Sequence, residues 1–111
     1  MKTKLLFVCT ANLNRSPTAE DLFKNAKNFE AKSAGIHLLS ENPIKPELIQ
    51  WADIIVVMDE KQDNHKTILL QMFPEVKTKP IIDLEIPDIY EKNNTELKEL
   101  IKKRMKEKVI D

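Results

Sequence analysis

Cysteine, glycine and arginine are almost missing from this chain of 111 residues: one cysteine (Cys9), one glycine (Gly35), and two arginines against sixteen lysines. A single cysteine excludes an internal disulfide and a cysteine-built zinc site. His37 and His65 stand too far apart to supply a metal cluster, so no metal and no cofactor are expected. Aromatic residues make up 5%. Neither sign of charge is in excess, with 18 Lys+Arg against 18 Asp+Glu, which gives no reason to expect nucleic acid or an anionic membrane as partner. No apolar run is long enough for a signal peptide or a bilayer span. One unpaired thiol without an export signal points to a reducing cytoplasm. The hydrophobic content of 41% excludes disorder by composition. The length suits one domain over residues 1–111, with a modest core.

What the chain does have is concentrated near its start. Leu5-Leu6-Phe7-Val8 runs into Cys9, and Cys9-Thr10-Ala11-Asn12-Leu13-Asn14-Arg15-Ser16-Pro17 leads into an amphipathic stretch. A lone cysteine at the end of an apolar strand is more often an inert, buried hydrophobe than a nucleophile. Three neighbours argue otherwise. Arg15, scarce by type, is spaced so that the loop can close around a tetrahedral anion and clamp two of its oxygens, which lysine cannot do. The Ser16 hydroxyl can donate to sulfur and cap the helix. Asn12, in mid-loop, suits a residue of positive φ whose side-chain amide ties the loop together. The amides of residues 10–16 and the helix N-terminus would then face the oxyanion.

Strand and helix signals alternate along the chain. Strands are predicted at Lys4–Val8, Glu30–Ser33, Ile54–Met58 and Lys79–Ile82, the third apolar throughout as for a strand covered on both faces. Helices are predicted at Pro17–Asn28 with Ser16 as cap, Pro46–Trp51, about Glu60 to Phe73, and Thr95–Lys108. The last should turn Leu97, Leu100, Ile101 and Met105 inward and keep the Lys102–Lys108 charges wet. Strands joined by helices imply an α/β fold, a parallel sheet with helices on both faces. Ligands bind beyond the carboxyl ends of such strands, a rim that Cys9, Asp59 and Asp88 can share. Trp51 and Phe73 read as core, His65 as a packed or surface residue, and Asp53 as a cap at a strand entry.

Thiolate attack on phosphorus gives a cysteinyl-phosphate that water must hydrolyse. The leaving oxygen needs a proton in the first step, and the attacking water must lose one in the second. A single carboxylic acid can serve both. Asp88, in the loop after the last strand and close to Tyr90, is the best placed; Asp83 competes with it, and Asp59 less so.

These residues resemble the low-molecular-weight protein tyrosine phosphatases, most closely a small branch of that family. The resemblance is carried by Leu6-Phe7-Val8-Cys9, the Cys-x5-Arg-Ser-Pro loop, Thr18-Ala19-Glu20, Ser33-Ala34-Gly35 and Ala52-Asp53-Ile54-Ile55-Val56-Val57-Met58-Asp59, and runs to about Tyr90. It implies a three-layer fold with a four-stranded parallel sheet in the order 2-1-3-4. It also implies Cys9 as nucleophile, Arg15 as phosphate clamp, Asn12 and Ser16 as loop organisers and Asp88 as general acid. The phosphate loop would be Thr10, Ala11, Asn12, Leu13, Asn14, Arg15 and Ser16. The sequence departs from the family in Ala11 where glycine is usual, Asn14 where a second cysteine is frequent, and Ile89 where proline follows the acid. Residues 36–45 carry no aromatic to wall the substrate slot, which leaves Tyr90, with Leu13 opposite.

The expected function is a metal-free, cysteine-dependent phosphatase, protein-tyrosine-phosphatase-like, acting on phosphotyrosine or a similar phosphomonoester, with a phosphorylated protein or a small phosphomonoester as its partner. The competing reading is a phosphate- or phosphopeptide-binding module that keeps the loop without efficient turnover. A phosphocysteine carrier fits less well because Arg15 makes a tight clamp, and thiol-coupled arsenate reduction needs cysteines this chain lacks. Oligomeric state is not readable from the sequence.

Overall fold

Alternation along the first strand divides the core in two. The computed structural model describes residues 2–109. In β1 (Thr3–Cys9), Leu5, Phe7 and Cys9 join one apolar cluster while Leu6 and Val8 join another. This is the period-two pattern of a strand buried on both faces. Parallel partners flank it: β2 (Phe29–Gly35) on one side and β3 (Ile54–Val57) on the other, with β4 (Ile81–Asp83) beyond β3. The order is β2-β1-β3-β4.

Helices cover both faces. The first cluster joins β1 and β3 to α1 (Arg15–Phe23) and α5 (Thr95–Lys108) through Ala19, Phe23, Leu97, Ile101 and Met105. The second packs α2 (Pro46–Trp51) and α4 (His65–Met72) on the opposite face through Ile49 and Leu69. A one-turn helix, α3 (Glu60–Asp63), precedes α4, and a 3-10 segment, Pro74–Thr78, leads into β4. Trp51 and Phe73 pack against the second cluster, Trp51 with the Lys32 ammonium 4.6 Å from its ring centroid. Asp53 exchanges two hydrogen bonds with Lys4 at the strand entry, its carboxylate accepting at 2.9 Å.

Several boundaries move. β2 extends two residues further, to Gly35, and β4 starts later, at Ile81. The first helix starts at Arg15 and ends at Phe23, so Ser16 lies inside its first turn and does not cap it; the cap position is Asn14. The helix expected over residues 60–73 is broken at Asn64, which takes φ 55° and ends α3 with a left-handed residue. Asparagine accepts that conformation at lower cost than most residues. The charged face of α5 is not wholly wet either. Arg104 Nη1 donates to the carbonyls of Leu84 (2.9 Å) and Glu85 (3.2 Å), and Lys108 Nζ to the Glu85 carboxylate (2.9 Å). These bonds fasten the segment after β4 to the last helix.

Candidate active site

Strand register puts the site together. Cys9 lies opposite Gly35, Val8 opposite Val57, and Val57 opposite Asp83, so the carboxyl ends of all four strands share one rim. The loop leaving Cys9 is held from the β2 side by three backbone bonds. Ile36 N–H donates to the Cys9 carbonyl (2.9 Å), His37 N–H to Thr10 (3.0 Å) and Glu41 N–H to Ala11 (3.2 Å). Gly35 is required here by close approach: a Cβ would sit 2.5 Å from the Ser40 side chain and 3.0 Å from the Ala11 carbonyl carbon.

Within the loop Asn12 takes φ 57°, and its amide Nδ2 donates to Ser16 Oγ at 2.8 Å. Ser16 Oγ lies 2.8 Å from Cys9 Sγ. The Ser16 hydroxyl thus lies between the Asn12 amide and sulfur, placed to donate to Cys9 when it is a sulfur anion. Cys9 is only 2% exposed, yet it lines a cavity of about 110 Å³ together with Thr10, Ala11, Leu13, Asn14, Arg15 and Asp88. Asn12 and Ser16 stand behind this wall rather than in it.

Arg15 is also 2% exposed. Its Nη1 donates to the Asp63 carboxylate (2.9 Å) and to the Ile86 carbonyl (2.8 Å). The side-on pair, Nε and Nη2, makes no hydrogen bond among the described residues, and Nε stands 3.7 Å from Asp88 Oδ1. That pair is the edge a tetrahedral oxyanion would take. Asp88 is more than half exposed at the cavity mouth. The alternative carboxylates are engaged elsewhere. Asp83 Oδ1 accepts from the Glu60 (3.3 Å) and Glu85 (2.9 Å) amides, and buried Asp59 caps α3 through Gln62 N–H at 3.5 Å. Tyr90 does not line the cavity; it is half-buried against the first core cluster.

The sequence reading missed two residues beside the site. One is Asp63, which fixes Arg15; no local pattern marks a carboxylate 48 residues from its partner. The other is His65, fully buried at the start of α4. Its Nδ1 accepts from the Asp59 amide (3.0 Å), so the neutral ring carries its proton on Nε2 and donates to Thr10 Oγ1 (2.8 Å). Burial, and then the neighbouring Arg15 charge, lower its pKa from 6.5 to about 4. A second ring proton would face the Asp59 N–H, which makes the same point geometrically. Asn14, expected only as a loop position, also ties the loop to the far side: its Oδ1 accepts from Lys92 N–H at 3.0 Å. Among the described residues no group of three or more His, Cys, Asp or Glu is placed to hold a metal ion.

Relatives share this architecture. The sequence pattern of the low molecular weight phosphotyrosine protein phosphatases matches residues 4–52. A protein-arginine-phosphatase of Geobacillus stearothermophilus is 33% identical over 103 residues, covering 71% of this chain and 68% of that protein. The solved structure of the YwlE arginine phosphatase from the same organism superimposes with a TM-score of 0.70 at 28% identity, over 95% of this chain and 91% of that one. The Streptococcus pyogenes low molecular weight protein tyrosine phosphatase SP-PTP, at 21% identity, shares the fold with a TM-score of 0.77 over 96% and 90% of the two chains. With a third of the aligned residues shared with a relative covered over two thirds of its length, the chain belongs to the low molecular weight phosphotyrosine protein phosphatase family.

Proposed function

We propose that this chain hydrolyses phosphorylated protein side chains through a cysteinyl-phosphate, with Cys9, Arg15 and Asp88 as its catalytic residues. One observation carries the reading: a single small cavity is lined by the only cysteine, by a buried arginine whose Nε and Nη2 make no hydrogen bond among the described residues, and by a carboxylate. The phosphoryl group sits among the loop amides of residues 10–16 with two oxygens on Nε and Nη2 of Arg15. Cys9 sulfur attacks phosphorus, and the bond to the leaving atom breaks. Protonated Asp88 gives its proton to that atom, then as carboxylate takes one from the water that cleaves the sulfur–phosphorus bond. The result is inorganic phosphate and a regenerated thiolate.

Asp88 is preferred to Asp83 and Asp59 because it alone of the three borders the cavity, while the others serve as turn and helix caps. The same steps suit a phenol leaving from phosphotyrosine or a guanidine leaving from phosphoarginine. The family's name supports the first substrate and the Geobacillus relative's name the second. A lone catalytic thiol persists best in a reducing compartment, which supports a cytoplasmic site of action. No helix among the described residues is long and apolar enough to cross a membrane.

The test is hydrolysis of an aryl phosphate in the presence of a metal chelator. Cys9→Ser should abolish turnover and keep oxyanion binding, because amides and Arg15 make that site. Arg15→Lys should lose binding and rate together. Hydrolysis retained by Cys9→Ser would remove the nucleophile assignment, and oxyanion binding without turnover in the wild type would favour a binding module.

A further inference from the structure

Among the described residues, the large apolar side chains left strongly exposed are Leu13 (51%), Leu38 (76%), Leu39 (88%) and Ile89 (74%). Single exposed leucines are ordinary on protein surfaces. Their distribution here is not. Leu13 lines the cavity, and Ile89 follows Asp88, which also lines it. Leu38 and Leu39 crown the turn whose two ends bond the Thr10 and Ala11 carbonyls. Leu39 N–H also bonds His37 Nδ1 at 3.1 Å, and Ser40 N–H the His37 carbonyl at 3.0 Å. Gly35 lets this turn press against the phosphate loop. The leucines are therefore held out by a braced turn and not by a loose one.

We infer that this aliphatic rim receives the polypeptide around the phosphorylated residue, so that the substrate is a protein segment with bulky apolar side chains next to that residue. The inference rests on the phosphatase reading above. Two features favour a peptide over a small ester. A cavity of about 110 Å³ takes the phosphoryl group and the first atoms beyond it, so a small ester would leave residues 38, 39 and 89 in water. The rim also flanks the cavity on both sides in sheet order, the turn after β2 on one side and the loop after β4 on the other. An extended peptide crossing the carboxyl edge of the sheet would meet both. Covering these side chains removes roughly a few hundred Å² of apolar surface from water, the size of a functional patch on a protein of this class.

The experiment compares kcat/KM for matched peptides with leucine or isoleucine flanking the phosphorylated residue against peptides with serine or glycine there. Each is made with phosphotyrosine and with phosphoarginine, and an aryl phosphate is run alongside. The wild type should prefer the apolar flank by about tenfold or more, the scale of one well-covered aliphatic side chain. Leu38→Ser/Leu39→Ser should bring the preference close to unity while leaving aryl phosphate turnover unchanged. Ile89→Ser, on the other side of the mouth, gives an independent reading of the same preference. Equal rates on both flanks with intact aryl phosphate turnover would overturn the inference and leave the phosphatase reading standing. No turnover of any ester would overturn that reading and the inference together. Sedimentation velocity supplies the remaining arm: a wild-type dimer that dissociates in the double variant, without peptide preference, would assign the rim to a second copy of the chain.

Discussion

At Cys9 the hydrogen bonds around sulfur matter more than the amount of buried surface. Asn12 donates to Ser16 Oγ, which lies 2.8 Å from Cys9 sulfur and is placed to donate to it as a thiolate. The role proposed for Asp88 falls at a different moment, when the leaving atom needs a proton. Asp88→Asn should slow esters with poor leaving groups about 10²-fold and esters with good leaving groups much less. Equal, negligible losses on both would move the role to Asp83 or Asp59. Asp63 poses a sharper question, because its carboxylate both holds Arg15 and repels an incoming dianion. Asp63→Asn keeps an acceptor for Nη1 and removes the charge, so inorganic phosphate should inhibit it at least as well as the wild type. Asp63→Ala loses the acceptor too, and phosphate should bind about tenfold more weakly, the value of a charge-assisted hydrogen bond reduced by relief of repulsion. Tighter phosphate binding in the alanine variant would mean that Asp63 only repels.

The elements around the site carry a pH dependence through α4. His65 is neutral in the folded chain, with its pKa at about 4, whereas an exposed histidine in the unfolded chain titrates near 6.5. Between those values the unfolded state binds more protons, so folding stability falls as pH drops below 6.5 and levels off below about 4. Through this one group the loss amounts to about 3 kcal/mol at the acid end. Urea titrations at pH 7, 6 and 5 should show it, and His65→Gln should flatten the slope, since an amide can still donate to Thr10 without titrating. A slope unchanged in that variant would place the acid sensitivity in other groups.

The elements also show what local signals can and cannot tell. The apolar run of β3 and the amphipathic stripe of α5 were legible because each is periodic over several residues. The break at Asn64 was not, because the helical period continues through it and only a long-range fit, with His65 buried beside Asp59 and Thr10, requires the left-handed residue. Ser16 was expected both to cap the helix and to meet sulfur; it keeps the second role and loses the first, because the helix begins one residue before it.

For the whole molecule, ligand and fold are one equilibrium. A phosphate site assembled from the ends of β1, α1 and the loop after β4 exists only in the folded chain. Inorganic phosphate should therefore raise stability by about 2.7 kcal/mol at a hundred times its Kd. A thermal shift that rises with phosphate and disappears in Arg15→Lys checks this; a shift equal in both would make it a general salt effect. At this scale the parallel sheet and the rim at its carboxyl ends follow from alternation along the chain, which is why they could be anticipated, whereas the order of the strands was legible only through the family resemblance. The aliphatic rim could not, since nothing in Leu38-Leu39 or Ile89 says which side of the surface a loop will show. Tyr90, assigned to the wall as the aromatic nearest the acid, packs instead against the first core cluster, leaving Ile89 outermost.

The bonds that fasten the segment carrying Asp88 have a mechanical meaning. Arg15 grips the carbonyl of Ile86, Asn14 the amide of Lys92, and Thr18 Oγ1 the amide of Asn93 at 2.8 Å. Asp88 therefore rides near the crown of a short arch whose two footings both stand at the start of the helix into which the phosphate loop runs. In the role proposed for it, Asp88 serves the leaving atom first and a water molecule next, at nearly the same point in space, and gains nothing from travelling between them. The arch spares it the journey, and the span between the footings sets how far the carboxylate can reach. Lengthening residues 87–91 would detune the proton transfers without loosening the grip on phosphate.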